Sequence, residues 1–107
     1  MEHAKGFRLV FAPEVVGHLE RIKRRYHALI RQTVSERLTH EPNRPARNRK
    51  QLEQPALYEA TWELRFGPGN RFRVFYDVDL AERVVYVLAI GVKRRERLSI
   101  GREEFGP

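Results

Sequence analysis

The chain has no cysteine among its 107 residues. Disulfides, thiol catalysis and a thiolate zinc site are therefore excluded, and a reducing compartment fits. No apolar run is long enough to cross a bilayer as a helix. The opening residues, Met1 to Gly6, carry no apolar segment after the basic residue, so no secretory leader is expected and the cytoplasm is the expected location. Histidine is scarce. His3, His18, His27 and His40 are scattered with no second ligand at a set spacing, so neither a metal nor a cofactor is expected. Repeats and low-complexity stretches are absent. Lysine is scarce too, and arginine supplies most of the 21 basic side chains.

What remains is a single-domain composition, read as one domain over residues 1–107. Hydrophobic residues make up 41% of the chain, enough for a core and too much for a disordered segment. The formal net charge is +7. Arginine binds phosphate and carboxylate as a planar fork and stacks on bases, so the excess points to nucleic acid or an acidic protein partner. A GC-rich genome would account for the arginine-to-lysine ratio but less well for the net charge.

The most informative stretch runs from Tyr58 to Asp77. Tyr58, Ala60, Trp62, Leu64 and Phe66 alternate onto one face. Phe72, Val74, Tyr76 and Val78 do the same after a Gly67-Pro68-Gly69-Asn70 turn. The other face carries Glu59, Thr61, Glu63 and Arg65, then Arg71, Arg73, Phe75 and Asp77. Period-two alternation predicts two strands with one face buried and one lined by arginines and carboxylates. The charged residues suit a phosphodiester ligand. They equally suit plain cross-strand pairing of Arg65 and Glu63 with Arg73 and Asp77. Trp62 lies in the register expected to face the core.

Around this hairpin the chain reads as an α+β domain. Residues 6–12 form a first strand, and Pro13 suits the first turn of a helix. Val15, Leu19, Ile22, Tyr26, Leu29, Ile30, Val34 and Leu38 form one helical stripe. Its periodicity fits one long helix or a hairpin, and neither Gly nor Pro marks a break. Pro42 ends the run. Residues 43–55 read as a polar connector with a basic cluster, Arg44, Arg47, Arg49 and Lys50. Three antiparallel strands then fall near 58–66, 71–78 and 83–90. The last is almost continuously apolar and so is expected to be central. A second basic cluster follows: Lys93, Arg94, Arg95 and Arg97. The helices are expected to cover one face of the small sheet and to leave the other open.

These pieces, in this order and spacing, resemble the RelE/ParE superfamily of bacterial type II toxins. The carriers are Lys50-Gln51-Leu52, Trp62-Glu63-Leu64-Arg65-Phe66, the run from Arg71 to Val78, the run from Val84 to Ile90, and Lys93-Arg94. The resemblance covers nearly the whole chain. It implies a helical hairpin that breaks near residues 23–25, a cognate antitoxin as partner, and one of two activities. RelE-like members are ribosome-dependent endoribonucleases that cut mRNA without a metal. ParE-like members share the fold, lack the nuclease residues and poison DNA gyrase. The first activity is expected here, with ribosome and mRNA as partners; a gyrase-directed toxin or an inactive homologue are the alternatives. On the resemblance, Arg73 and Arg94 would hold the scissile phosphate, Arg65 would assist, and Glu63 would serve as base. Lys50, Arg49, Arg71, Lys93 and Arg95 would bind RNA. Thr61 and Glu63 occupy positions where RelE has two lysines, and Leu98, Ser99 and Ile100 occupy the neighbourhood of its tyrosine.

Overall fold

The computed structural model describes residues 6–106; His3 and the leader reading of the first residues lie outside the described residues. The elements are β1 (Arg8–Phe11), α1 (Glu14–Glu20), α2 (His27–Leu38), β2 (Arg49–Gln51), β3 (Trp62–Phe66), β4 (Phe72–Asp79), β5 (Val84–Arg94), β6 (Arg97–Ile100) and β7 (Glu103–Phe105). They form an α+β domain with one seven-stranded sheet in the order β2-β3-β4-β5-β6-β7. All these neighbours are antiparallel, and β1 adds to β5 in parallel. Among the described residues no helix is long and apolar enough to cross a membrane.

The helical stripe is two helices, and the break falls near residues 23–25, where the resemblance put it. After α1 the chain turns through Ile22, makes a 3₁₀ turn over Arg24–Tyr26 and enters α2. Two interactions close the break. Ile22 is buried in the core. The His27 Nε2–H lies 2.9 Å from the Leu19 carbonyl and 2.8 Å from that of Ile22, and donates to both. Carbonyls at a helix end have no partner within the helix, so this side chain stands in for the missing turn. Neither glycine nor proline is needed, which is why pattern alone left a continuous helix open. Leu29 is the one stripe residue that faces solvent, since neighbours 29 and 30 cannot both face inward.

The larger core lies between the helices and one sheet face. Val15, Ile22, Ile30, Val34 and Leu38 pack on Trp62, Leu64, Phe66, Phe72, Val74, Tyr76, Val85, Val87, Ile90 and Val92. The β3–β4 register places Trp62 opposite Tyr76, Leu64 opposite Val74 and Phe66 opposite Phe72, so the alternation read from sequence is the real one. Trp62 stacks on Tyr76, with centroids 6.3 Å apart. The Tyr76 hydroxyl donates to the Pro42 carbonyl at 2.7 Å, and burial pushes its phenol above the ordinary range. At the β3–β4 turn Gly67 has φ +82°, and a Cβ there would strike the Phe72 ring.

Strand β5 is central, as its apolar run implied. One edge pairs with β4 over most of its length. The other edge is shared: β1 takes Val84 to Val87, and β6 takes Gly91 to Arg94. In the gap, the Ile90 N–H donates to His18 Nδ1 at 3.3 Å. That bond needs the neutral ring, and burial lowers the His18 pKa against opposing pulls from Glu14 and Glu103.

Two expectations are corrected. Six strands follow the helices, not three. Arg49–Gln51 in the supposed connector adds β2 to the free edge of β3, and the tail adds β6 and β7. Each is three or four residues, too short to show a period. The strand expected from residue 58 starts at Trp62, because Tyr58 and Glu59 adopt positive φ in a 3₁₀ turn. The second face is also not open. Ala60, Phe75, Ala89 and Ile100 form a smaller core there, flanked by Leu52, Leu57, Tyr58, Leu88, Leu98 and Phe105. The β6 strand approaches so closely at Gly91 that a Cβ would meet Ile100 Cγ1 at 2.7 Å and the Ser99 carbonyl at 2.8 Å.

Candidate functional site

Alternation along β3 and β4 puts Glu63, Arg65 and Arg73 on the face away from the helices. The structure brings these three together. Glu63 Oε1 accepts from Nε and Nη2 of Arg65, each at 3.4 Å, and Oε2 accepts from Nη1 of Arg73 at 3.3 Å. Arg73 Nε also donates to the Asn70 carbonyl at 3.0 Å. The Glu63 side chain is only 6% exposed and that of Arg73 12%, against 38% for Arg65. Burial, helped by the Arg65 charge, draws the Arg73 guanidinium below its usual range, and Glu63 pulls it back. The group is a carboxylate clamped between two cations, with both of its oxygens accepting from guanidinium groups. It is the cross-strand pairing read from the hairpin, with one change of partner: Asp77 accepts from the Thr61 hydroxyl at 2.7 Å instead.

The fourth member of the expected constellation lies elsewhere. Along β5, Ile90 and Val92 point into the helix-side core, and Arg94 continues that alternation. It lines a small cavity with Ile22, Tyr26 and Arg71. Arg94 and Arg73 therefore stand on opposite sides of the sheet. The sequence did not show this because Arg94 was placed beyond a strand thought to end at Ile90. Continuing β5 to Arg94 fixes the parity.

The expected RNA-binding residues scatter as well. Arg49 is 7% exposed and takes no part in an exposed surface. Its Nη1 donates to the carbonyls of Glu41 at 2.9 Å and Arg44 at 3.1 Å, and its Nη2 to that of Arg37 at 2.8 Å. It ties the end of α2 to the connector. Lys50 pairs in register with Glu63 and is exposed. Lys93 shares the Arg73 face by alternation, and Arg95 sits at positive φ in the β5–β6 turn. Arg71 stands beside Tyr26. Sequence reasoning missed Tyr26 and its neighbours Lys23 and Arg25. Their signal was present as the Lys23-Arg24-Arg25 run, read only as the helix break.

The family model described as "ParE toxin of type II toxin-antitoxin system, parDE" matches residues 9–97. That span runs from the second residue of β1 to the first residue of β6. Among curated proteins none matches the chain. The matched span takes in both helices and, with the two-faced β3–β4 pair and the central β5, the segments that carried the resemblance, and the chain belongs to the ParE toxin family of type II toxin–antitoxin systems.

Proposed function

We propose that this toxin acts by binding a protein target, in the ParE manner with DNA gyrase as the first candidate, and does not cut RNA. The observation that carries this reading is the state of Glu63. Metal-free RNA cleavage needs a reachable base beside cationic donors aimed at one phosphate. Here the carboxylate is buried under Arg65 and Arg73, and Arg94 faces away across the sheet. The family match to ParE supports the same choice. Membership also implies a cognate antitoxin that neutralises the chain.

One pair of assays tests the reading. Purified toxin is added to programmed ribosomes, and mRNA ends are mapped by primer extension. The same preparation is added to gyrase with supercoiled DNA, and cleavage complexes are trapped with detergent. Trapped complexes without cuts in the ribosomal A site are expected. A-site cuts that vanish in Arg73→Ala would overturn the proposal and restore the nuclease reading.

A further inference from the structure

The helix-side end of the sheet holds a second basic cluster that the Glu63 site does not use. Lys23 and Arg25 come from the break between α1 and α2, Arg71 from the start of β4 and Arg94 from the end of β5. All four line one cavity of about 140 Å³, walled by Ile22, Tyr26, Phe72 and Val92. The lining contains no carboxylate. Among the described residues, none of the four cations has a salt-bridge partner.

The cavity is also braced. Arg25 lies over the Tyr26 ring, 5.0 Å from its centroid, and donates to the Tyr26 hydroxyl at 3.2 Å. Tyr26 in turn rests edge-on against Phe72, 5.1 Å away and 1% exposed. The Lys93 N–H donates to the Arg71 carbonyl at 2.7 Å, which holds the Arg71 backbone against β5. The Arg25 guanidinium is thus mounted on a braced ring, and the Arg71 backbone is fixed beside it. Hydrogen bonding from Arg25 and the charges of Arg25, Arg71 and Lys23 lower the Tyr26 phenol pKa, as a strongly positive site requires.

Four like charges around a space this small repel one another unless an anion sits among them. The space admits a single tetrahedral oxyanion, and guanidiniums supply fork-like donors that suit phosphate oxygens. The surroundings favour a polyanion over one isolated ion. Exposed Arg21, Arg24 and Arg95 follow on the adjoining segments and outnumber the exposed Glu20 and Glu96 there. We propose that this cavity is a phosphate seat for a nucleic-acid backbone, separate from the Glu63 face and contributing affinity without sequence preference. The inference does not depend on whether the protein target is gyrase.

The test is binding of a fluorescein-labelled 20-base-pair DNA duplex, followed by anisotropy across a salt series. Wild-type affinity is expected to fall steeply with salt as counterions are released. Arg71→Ala with Arg94→Ala should weaken binding at least tenfold and flatten the log–log salt slope by about 2. Arg8→Ala with Arg31→Ala removes the same charge from exposed positions elsewhere and should weaken binding less than threefold. Circular dichroism confirms that each variant is folded. Equal losses in the two double variants would overturn the proposal, because net charge alone would then explain binding. So would equal loss of affinity for polyglutamate of matched charge with unchanged DNA binding, which would assign the seat to an acidic protein segment. Failure here leaves the gyrase and ribosome assays untouched, so the two readings fail separately.

Discussion

The protein carries two arginine clusters built on opposite principles. On one face of the sheet, the face that also carries the smaller core, Arg65 and Arg73 share Glu63. On the other, Lys23, Arg25, Arg71 and Arg94 surround Tyr26 with no carboxylate in the lining. The first cluster has neutralised half of its own charge and buried its carboxylate. The second keeps its full charge. Buried charges need partners, because an unpaired ion out of water is strongly destabilising, whereas surface cations tolerate vacancy. Counting arginines on a sheet therefore says little about where an anion binds; counting the arginines without internal partners says more.

The contrast can be broken most severely at Glu63. Glu63→Ala leaves Arg73 buried beside Arg65 without a counter-charge, and should destabilise the fold by about 3 kcal/mol, measured by urea unfolding. A loss below about 1 kcal/mol would mean that the inner cluster is solvated after all. Arg49→Ala comes next. It removes three charge-assisted bonds to the carbonyls of Arg37, Glu41 and Arg44, and about 2 kcal/mol is expected. Wild-type stability in that variant would argue against a strut.

Acid offers a milder probe. Arginine stays charged through the mildly acid range, so a pH effect there reports on other groups. Burial lowers the His18 pKa, so the unfolded chain takes up a proton before the folded one. The His18 contribution is complete above the ordinary value of 6.5 and declines as pH falls from there toward the lowered folded value. Denaturation midpoints at about pH 7.5 and pH 5.5 should differ, and His18→Gln should shrink that difference. The smallest effect belongs to the outer cluster. Arg71→Ala and Arg94→Ala are each expected to change stability by less than about 0.5 kcal/mol, since neither makes a buried ion pair. A larger loss would show that this cluster also serves the fold.

Much of the fold was readable because it rests on long periodic segments. The β3–β4 alternation, the central place of β5 and the helix-side core all follow from period two or from steps of three and four. What stayed hidden was short or non-local. The strand β2 is three residues whose pairing depends on the free edge of β3, and the helix break is closed by His27 reaching back to Leu19 and Ile22. For the site, the face shared by Glu63, Arg65 and Arg73 was legible from alternation. Their mutual pairing was one of two readings, and the low exposure of Glu63 between the two guanidiniums favours it. Arg94 was misplaced because a strand end was set four residues early.

Gly91 gives the closed face a further meaning. Its φ lies in ordinary territory, so any residue suits its backbone, and only the closeness of Ile100 and Ser99 excludes one. A methyl group would press against backbone oxygen and have to push β6 away. In evolutionary terms, the shut face is one codon from ajar. Selection acting at this one position would decide whether β6 can lie against β5.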